Sequence, residues 1–244
     1  MAEVIEIGTL YFDGRPQKVG VKYNGERLSL GPTVPGEAIQ WVKANGLLIA
    51  DRCVCTQISW GELDFIGLVF GTIIQIDGRW YLCRCLKVGA EGGVPNEWDA
   101  ILEKVGESND LWHWKDAFFW GQETLGNLGN QASNRAVRGY LSARCWNNCY
   151  AMSRFAYVGF RPALEPLIPA PLDYGPIVGT EITPMGPDYK FVSGRLVAFT
   201  DYDLVLESPS PLPDACEWAV PGGKQIIVDR ASVSWLREAS LGHA

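Results

Sequence analysis

The side chains with the greatest chemical capacity in this 244-residue chain are its seven cysteines, and their spacing is uneven: Cys53-Val54-Cys55, Cys83-Arg84-Cys85, Cys145 and Cys149 with three residues between them, and Cys216 alone. In a strand, residues i and i+2 share a face, so each Cys-x-Cys sets two thiols side by side, and two such strands could supply a four-sulfur zinc site. Structural zinc ligands typically have two to four residues between them. Cys53/Cys55 and Cys83/Cys85 miss that spacing and read as small buried residues on strands. The odd count, together with the acidic start Met1-Ala2-Glu3-Val4-Ile5-Glu6, predicts free thiols in a reducing compartment and no secretory signal. Two histidines cannot build a three-imidazole zinc centre within one subunit. His113, between Trp112 and Trp114, reads as a packed or half-exposed ring rather than a general base. Acidic pairs such as Glu62/Asp64 and Asp201/Asp203 read as solvated surface. Signatures of nucleophile elbows, phosphate loops, zinc proteases and dinucleotide folds are absent, so the chain is expected not to be an enzyme and no cofactor is implied.

The elements that must position these residues are mostly strands. With 27 Gly, 15 Pro and 11% aromatics, the composition favours strands and turns. A formal charge of -7 argues against broad nucleic-acid binding, and no apolar run approaches the roughly 20 residues that span a bilayer, so no membrane partner is expected. Residues 1–35 alternate apolar and polar positions around Asp13-Gly14 and Asn24-Gly25, as an N-terminal hairpin region would. Residues 37–46 carry helix formers closing on Asn45-Gly46, which predicts a short helix. Ser59-Trp-Gly-Glu has capping-box spacing. Asp77-Gly78 joins two apolar strands, the strongest hairpin signal in the chain. Residues 96–105 place Trp98, Ile101, Leu102 and Val105 on one helical face. Residues 124–136 read as a loop. Glu165 to Pro176 holds four prolines, which predicts a semi-rigid linker over 166–176. Beyond it, strands are expected at Phe191–Val197, Asp203–Glu207 and Gln225–Val228, with Ser208 to Pro213 of low complexity.

Within Val137 to Leu164, Arg138-Gly139, Ala143-Arg144, Trp146, Asn147, Arg154 and Gly159-Phe160-Arg161 occupy places that resemble the closing segment of C-type-lectin-like domains of the formylglycine-generating-enzyme type. Together with Asn96-Glu97-Trp98 and Trp112-His113-Trp114, they look like a variant common among bacteriophage and prophage proteins. The resemblance implies a C-type-lectin-like domain over 36–165. The enzymes of that family bind copper through two cysteines in this segment. Cys145 and Cys149 lie near that position, separated by three residues rather than four.

Val192 to Glu207, with Gly194, Leu196, Phe199 and Leu204-Val205-Leu206, resembles the first motif of Sm/Hfq-like barrels, and Gln225 to Trp235 resembles the second. The resemblance implies a small Sm-like or SH3-like barrel over 177–244 that joins subunits through strand edges into a homo-oligomer. The Tyr-Lys-His positions of the RNA chaperones read Val228-Asp229-Arg230, the Pro-rich linker replaces the usual preceding helix, and 208–224 is an insertion.

The whole is expected to be α+β, mainly β. The resemblances imply a non-enzymatic phage-type binding protein, in the cytoplasm of an infected bacterium or on a virion. Its ligand surface would comprise Trp112, Trp114, Arg144, Trp146, Asn147, Asn148, Tyr150 and Arg154, because aromatics supply contact area at low entropic cost and Arg grips planar anions at two points. A host protein, a glycan or a small nucleotide would be the partner, the last including a signal sequestered from host defence. A copper-dependent oxidase using Cys145 and Cys149, and an Sm-like RNA binder, are the alternatives.

Overall fold

The computed structural model describes residues 2–125, 133–207 and 212–238. The protein is mainly β, 45% strand and 11% helix, and divides into two units, Met1–Glu165 and Pro166–Ala244. Of the loop expected at 124–136, residues 126–132 lie outside the described residues, as do 208–211 of the low-complexity stretch.

In the first unit one sheet is built from β1 (Val4–Phe12), β2 (Arg15–Gln17), β4 (Leu28–Gly31), β5 (Ala38–Ala44), β6 (Leu47–Ala50), β8 (Thr72–Ile76), β9 (Arg79–Arg84) and the start of β14 (Ala163–Pro169). A second runs in the order β12 (Trp146–Tyr150), β11 (Asn134–Gly139), β10 (Phe118–Thr124), β13 (Val158–Phe160), β7 (Cys55–Thr56) and β3 (Val21–Lys22). Three short helices accompany them: α1 (Trp60–Phe65), α2 (Glu97–Val105) and α3 (Asn109–Trp112). β1 pairs with β5 from Val4↔Val42 onward, so β1, β2 and β4 share a sheet with residues 38–50, while β3 joins the second sheet.

The turns follow their chemistry. Asp13-Gly14, Asn45-Gly46 and Asp77-Gly78 all have positive φ at both positions, the type I′ hairpin conformation that Asn/Asp-Gly adopts at least cost. This corrects the helix expected over 37–46, which is the β5–β6 hairpin. Ile39 and Trp41 face one hydrophobic cluster with Leu48 and Ala50, whereas Val42 and Ala44 face another with Leu47 and Ile49. A strand buried on both faces shows a near-continuous apolar run, which periodicity alone does not separate from a helix. The capping box at Ser59 forms in full with Glu62. Asn96 caps α2, and Trp98, Ile101 and Leu102 are buried in the second cluster.

A buried ion triad holds α2 to the strands. Arg84 Nε donates to Glu165 Oε1 at 2.6 Å, NH1 and NH2 donate to both oxygens of Glu97 at 2.9 and 2.6 Å, and NH1 also reaches the Cys85 carbonyl at 2.9 Å. Burial would raise the Glu97 carboxyl, yet the hydrogen bonds and charge of Arg84, with the Lys87 amide, hold it below its ordinary value.

In the second unit a sheet runs β15 (Glu181–Ile182), β17 (Gly194–Phe199), β18 (Asp203–Glu207), β20 (Gln225–Asp229) and β19 (Ala219–Gly222). β17 begins three residues later than the strand expected at 191–197 and carries a register shift between Leu196 and Ala198. β19, inside the expected 208–224 insertion, forms a hairpin with β20. β21 (Trp235–Arg237) pairs with β16 (Pro184–Met185) and with Leu167, Ile168 and Pro169, so part of the Pro-rich segment 166–176 is strand. Tyr174, Leu196, Leu204, Leu206, Trp218 and Val228 form its core.

Removing one member of a buried ion cluster strands the others, so Arg84→Ala is expected to cost about 3–5 kcal/mol of unfolding free energy, read from urea denaturation. Because Glu97 titrates lower folded than unfolded, its contribution is complete above its ordinary value of about 4.3 and disappears as pH falls through the depressed folded value. Glu97→Gln should therefore flatten the acid limb of stability against pH. An unchanged limb would mean that Glu97 is not depressed.

Candidate functional site

The closing segment spans β11 to β13, and its charged residues are largely taken up by the fold. Arg138, almost wholly buried, donates through Nε to the Val88 carbonyl at 3.0 Å, through NH1 to the Arg144 carbonyl at 2.7 Å and through NH2 to Asp99 Oδ2 at 2.7 Å. Arg144 pairs with Glu107 at 2.5 Å and lies 3.5 Å from Asp99. Arg154 binds Glu62 and lies over the Tyr23 ring, 5.7 Å from its centroid. Trp146 Nε1 donates to the Gly89 carbonyl and half-buried Trp114 to that of Glu107, at 2.9 and 2.8 Å. Asn148 Oδ1 accepts from Asn134 at 2.8 Å, and Asn147 Oδ1 accepts from the Asn148 amide at 2.8 Å. Trp112, expected on the ligand surface, is wholly buried against Trp98. Its ring belongs to the core, because α3 turns it inward and its Nε1 is tied to the Gly106 carbonyl. The eight expected residues therefore separate into a buried ring, a set of structural ties and two side chains, Asn147 and Tyr150, that stand exposed on the edge strand β12.

On β10 and in the turns adjoining β11 and β13 lies an aromatic series that the sequence reading did not include. Buried Phe118 stacks on Tyr140 at 5.0 Å and 13°, Tyr140 meets Tyr157 edge-on at 5.6 Å, and Tyr157 stacks on Phe155 at 5.2 Å and 6°. Phe155 and Tyr157 are exposed, as is Leu141. The clustering of Tyr and Phe over 150–157 was the available signal.

The cysteines fall into two groups. Cys53, Cys55, Cys83 and Cys85 are buried, and burial pushes Cys53 up to about 11 and Cys83 to about 12, and raises Cys55 and Cys85 well above the ordinary thiol value. Cys145 and Cys149 stand opposite Gly139 and Arg135 of β11, four residues apart, or about 13 Å at 3.3 Å per residue. Two thiols that far apart do not converge on one copper ion in this arrangement. Among the described residues no group of three or more His, Cys, Asp or Glu is placed to hold a metal.

A second polar cluster forms where β6, α3 and β13 end. Arg52 donates to Asp51 Oδ2 through Nε at 2.9 Å and NH2 at 2.7 Å, and NH2 lies 2.8 Å from His113 Nε2. A guanidinium only donates, so Nε2 accepts and the neutral ring carries its proton on Nδ1. Nδ1 is 3.3 Å from Asp51 Oδ2, within range of attraction but misaligned for a hydrogen bond. His113 is held in a left-handed conformation at the end of α3. Behind it, wholly buried Arg161 donates through NH2 to the Trp112 carbonyl at 2.5 Å and lies over Phe119 and Trp98, 4.6 and 5.4 Å from their centroids. Burial lowers the Arg161 pKa from its ordinary value, opposed by Cys53 and Asp51. Asp51 Oδ1 and Arg161 Nε and NH1 are buried without a nitrogen or oxygen partner. Gly159-Phe160-Arg161 was visible in the sequence as a motif, but Asp51 and Arg52 carried no signal.

In the second unit a cleft of about 390 Å³ is lined by Asp188, Lys190, Glu217, Trp218 and Asp229 among others. Asp188 is occupied there by Lys190 and by the Trp218 indole.

Compared with protein-family models, curated proteins and solved structures, the chain matches none.

Alkylation of the native protein followed by mass spectrometry is expected to modify only the three half-buried thiols, Cys145, Cys149 and Cys216, and to spare the other four until the chain unfolds. Rapid labelling of Cys83 or Cys85 would contradict their burial.

Proposed function

We propose that the protein is a non-enzymatic binding protein of the phage type. Its first unit would be a C-type-lectin-like scaffold and its second an Sm-like barrel that assembles it. The observation that carries this reading is the aromatic series ending in exposed Phe155 and Tyr157, beside Leu141. Rigid rings, pre-stacked on a buried Phe118, present a large contact area with little rotamer entropy left to lose. Arg144 and Arg154 already neutralise Glu107 and Glu62, so the surface selects ligands with apolar or planar faces, such as the ring faces of a glycan or a nucleobase, rather than bare anions. On the edge strand β12, Asn147 is exposed on the sheet face that carries Phe118, and Tyr150 on the opposite face. The barrel reading is supported by the short edge strands β15 and β19, since strand edges are where such barrels join. In this reading the protein works inside an infected bacterium or on the particle assembled there.

The test is a panel of bacterial surface glycans and nucleotides offered to the full chain and to the Phe155→Ser/Tyr157→Ser variant, with native mass spectrometry of both. A ligand held by the parent and lost from an equally stable, ring-sized variant is the expected result. Equal binding by the variant would remove the aromatic surface from the proposal, and a monomer would remove the assembling barrel.

A further inference from the structure

We propose that Arg52 and His113, backed by Asp51, form a binding site for a phosphate group that carries one proton. The site is independent of the aromatic surface proposed above and adds a ligand class that surface does not select.

The first argument is donor geometry. Arg52 spends its side edge, Nε and NH2, on Asp51 Oδ2, and NH2 also reaches His113 Nε2. NH1 makes no hydrogen bond among the described residues, and the side chains of Arg52 and His113 are 39% and 35% exposed. The end edge of the guanidinium, NH1 with NH2, is therefore presented to solvent beside an imidazole nitrogen that bears a lone pair. A phosphate oxygen on each of NH1 and NH2 gives the planar two-point contact that Arg favours, while Nε stays anchored on Asp51. The oxygen on NH2 takes the place of His113 Nε2 as acceptor. Nε2 is then left needing a donor, and the P–OH of a monoprotonated phosphate supplies it. Sulfate and carboxylates have no such proton at neutral pH, so the imidazole would itself have to take up a proton before Nε2 could meet them with a donor.

The second argument is charge. Arg52 is bonded to Asp51, and buried Arg161 feels the same carboxylate without an ion pair to it, while Asp51 Oδ1 is itself buried without a partner. The neighbouring Cys53 thiol remains protonated because it is buried. The cluster thus carries surplus positive charge at the edge of a low-dielectric interior, where an anion is stabilised more strongly than in water. Arg161, bonded to the Trp112 carbonyl, also fixes the turn that carries His113, so the imidazole is already positioned before a ligand arrives.

The experiment follows the imidazole resonances of the full chain during titration with inorganic phosphate, sulfate and phenyl phosphate at ionic strength held constant with chloride. The chain's second imidazole, His243, serves as the internal control. Expected is a saturable movement of the His113 signals with phosphate, with sulfate binding weaker by roughly tenfold or more. Arg52→Gln should weaken phosphate by a similar factor. Arg52→Lys, which keeps a cation on Asp51 but loses the planar fork, should do the same if the Gln variant fails to fold. Tighter binding of phenyl phosphate would assign a phosphate monoester as the ligand, and equal or weaker binding would assign free phosphate. His113 signals that do not move, that move equally with sulfate or together with those of His243, or that respond undiminished in a folded Arg52 variant overturn the site.

Discussion

A guanidinium removed from water must be matched by charge and hydrogen bonds on every side, and Arg84 imposes that requirement on the first unit. Its partners are its chain neighbour Cys85, Glu97 at the first position of α2, and Glu165 in β14, 81 residues on. Leaving any of them out would expose an uncompensated buried charge, so β9, α2 and β14 are constrained to meet. The first turn of α2 also carries Asp99, which receives Arg138 from β11. One short helix thus anchors two buried arginines, with both carboxylates at the end where the helix dipole favours negative charge.

The tryptophans extend the same logic to neutral groups. Seven indoles of the first unit, those of Trp41, Trp60, Trp98, Trp112, Trp114, Trp120 and Trp146, each donate to a backbone carbonyl. Most of these bonds span dozens of residues, so the indole N–H satisfies a loop carbonyl while its ring fills the core. A protein with many irregular connections and few helices gains order from such ties. These tryptophans are therefore structural ties, and the exposed rings of the proposed ligand surface are those of Tyr and Phe in the segment 140–157.

The Asp51 cluster differs from both patterns. Elsewhere in the first unit the buried arginines Arg84 and Arg138 close their bonds on carboxylates and carbonyls, whereas Arg161 relies partly on ring faces and leaves Nε and NH1 without a nitrogen or oxygen partner. Buried polar groups that are only partly satisfied are uncommon in folded proteins and concentrate where a structure does something besides hold together. The cluster sits where β6, α3 and β13 all terminate, so its residues are on short bends carried by rigid elements.

The sequence by itself determined the local features whose physics is local. The Asp77-Gly78 hairpin, the Ser59/Glu62 capping box, the amphipathic face of α2 and the predominance of strands follow from turn dihedrals, cap hydrogen bonds and side-chain period, which need only neighbouring residues. Residues 37–46 escaped such reading because strands covered on both faces lose the alternation that marks them. The proposed ligand surface was legible only as a region. Whether Trp112 faces a ligand or the core, whether Arg144 is free or paired to Glu107, and whether Cys145 and Cys149 converge all depend on partners brought from elsewhere by the fold. Asp51 and His113 are joined by no periodicity or motif. Only the tertiary structure decided their meeting, because charge pairing at a few ångströms is a property of position in space and leaves no pattern along the chain.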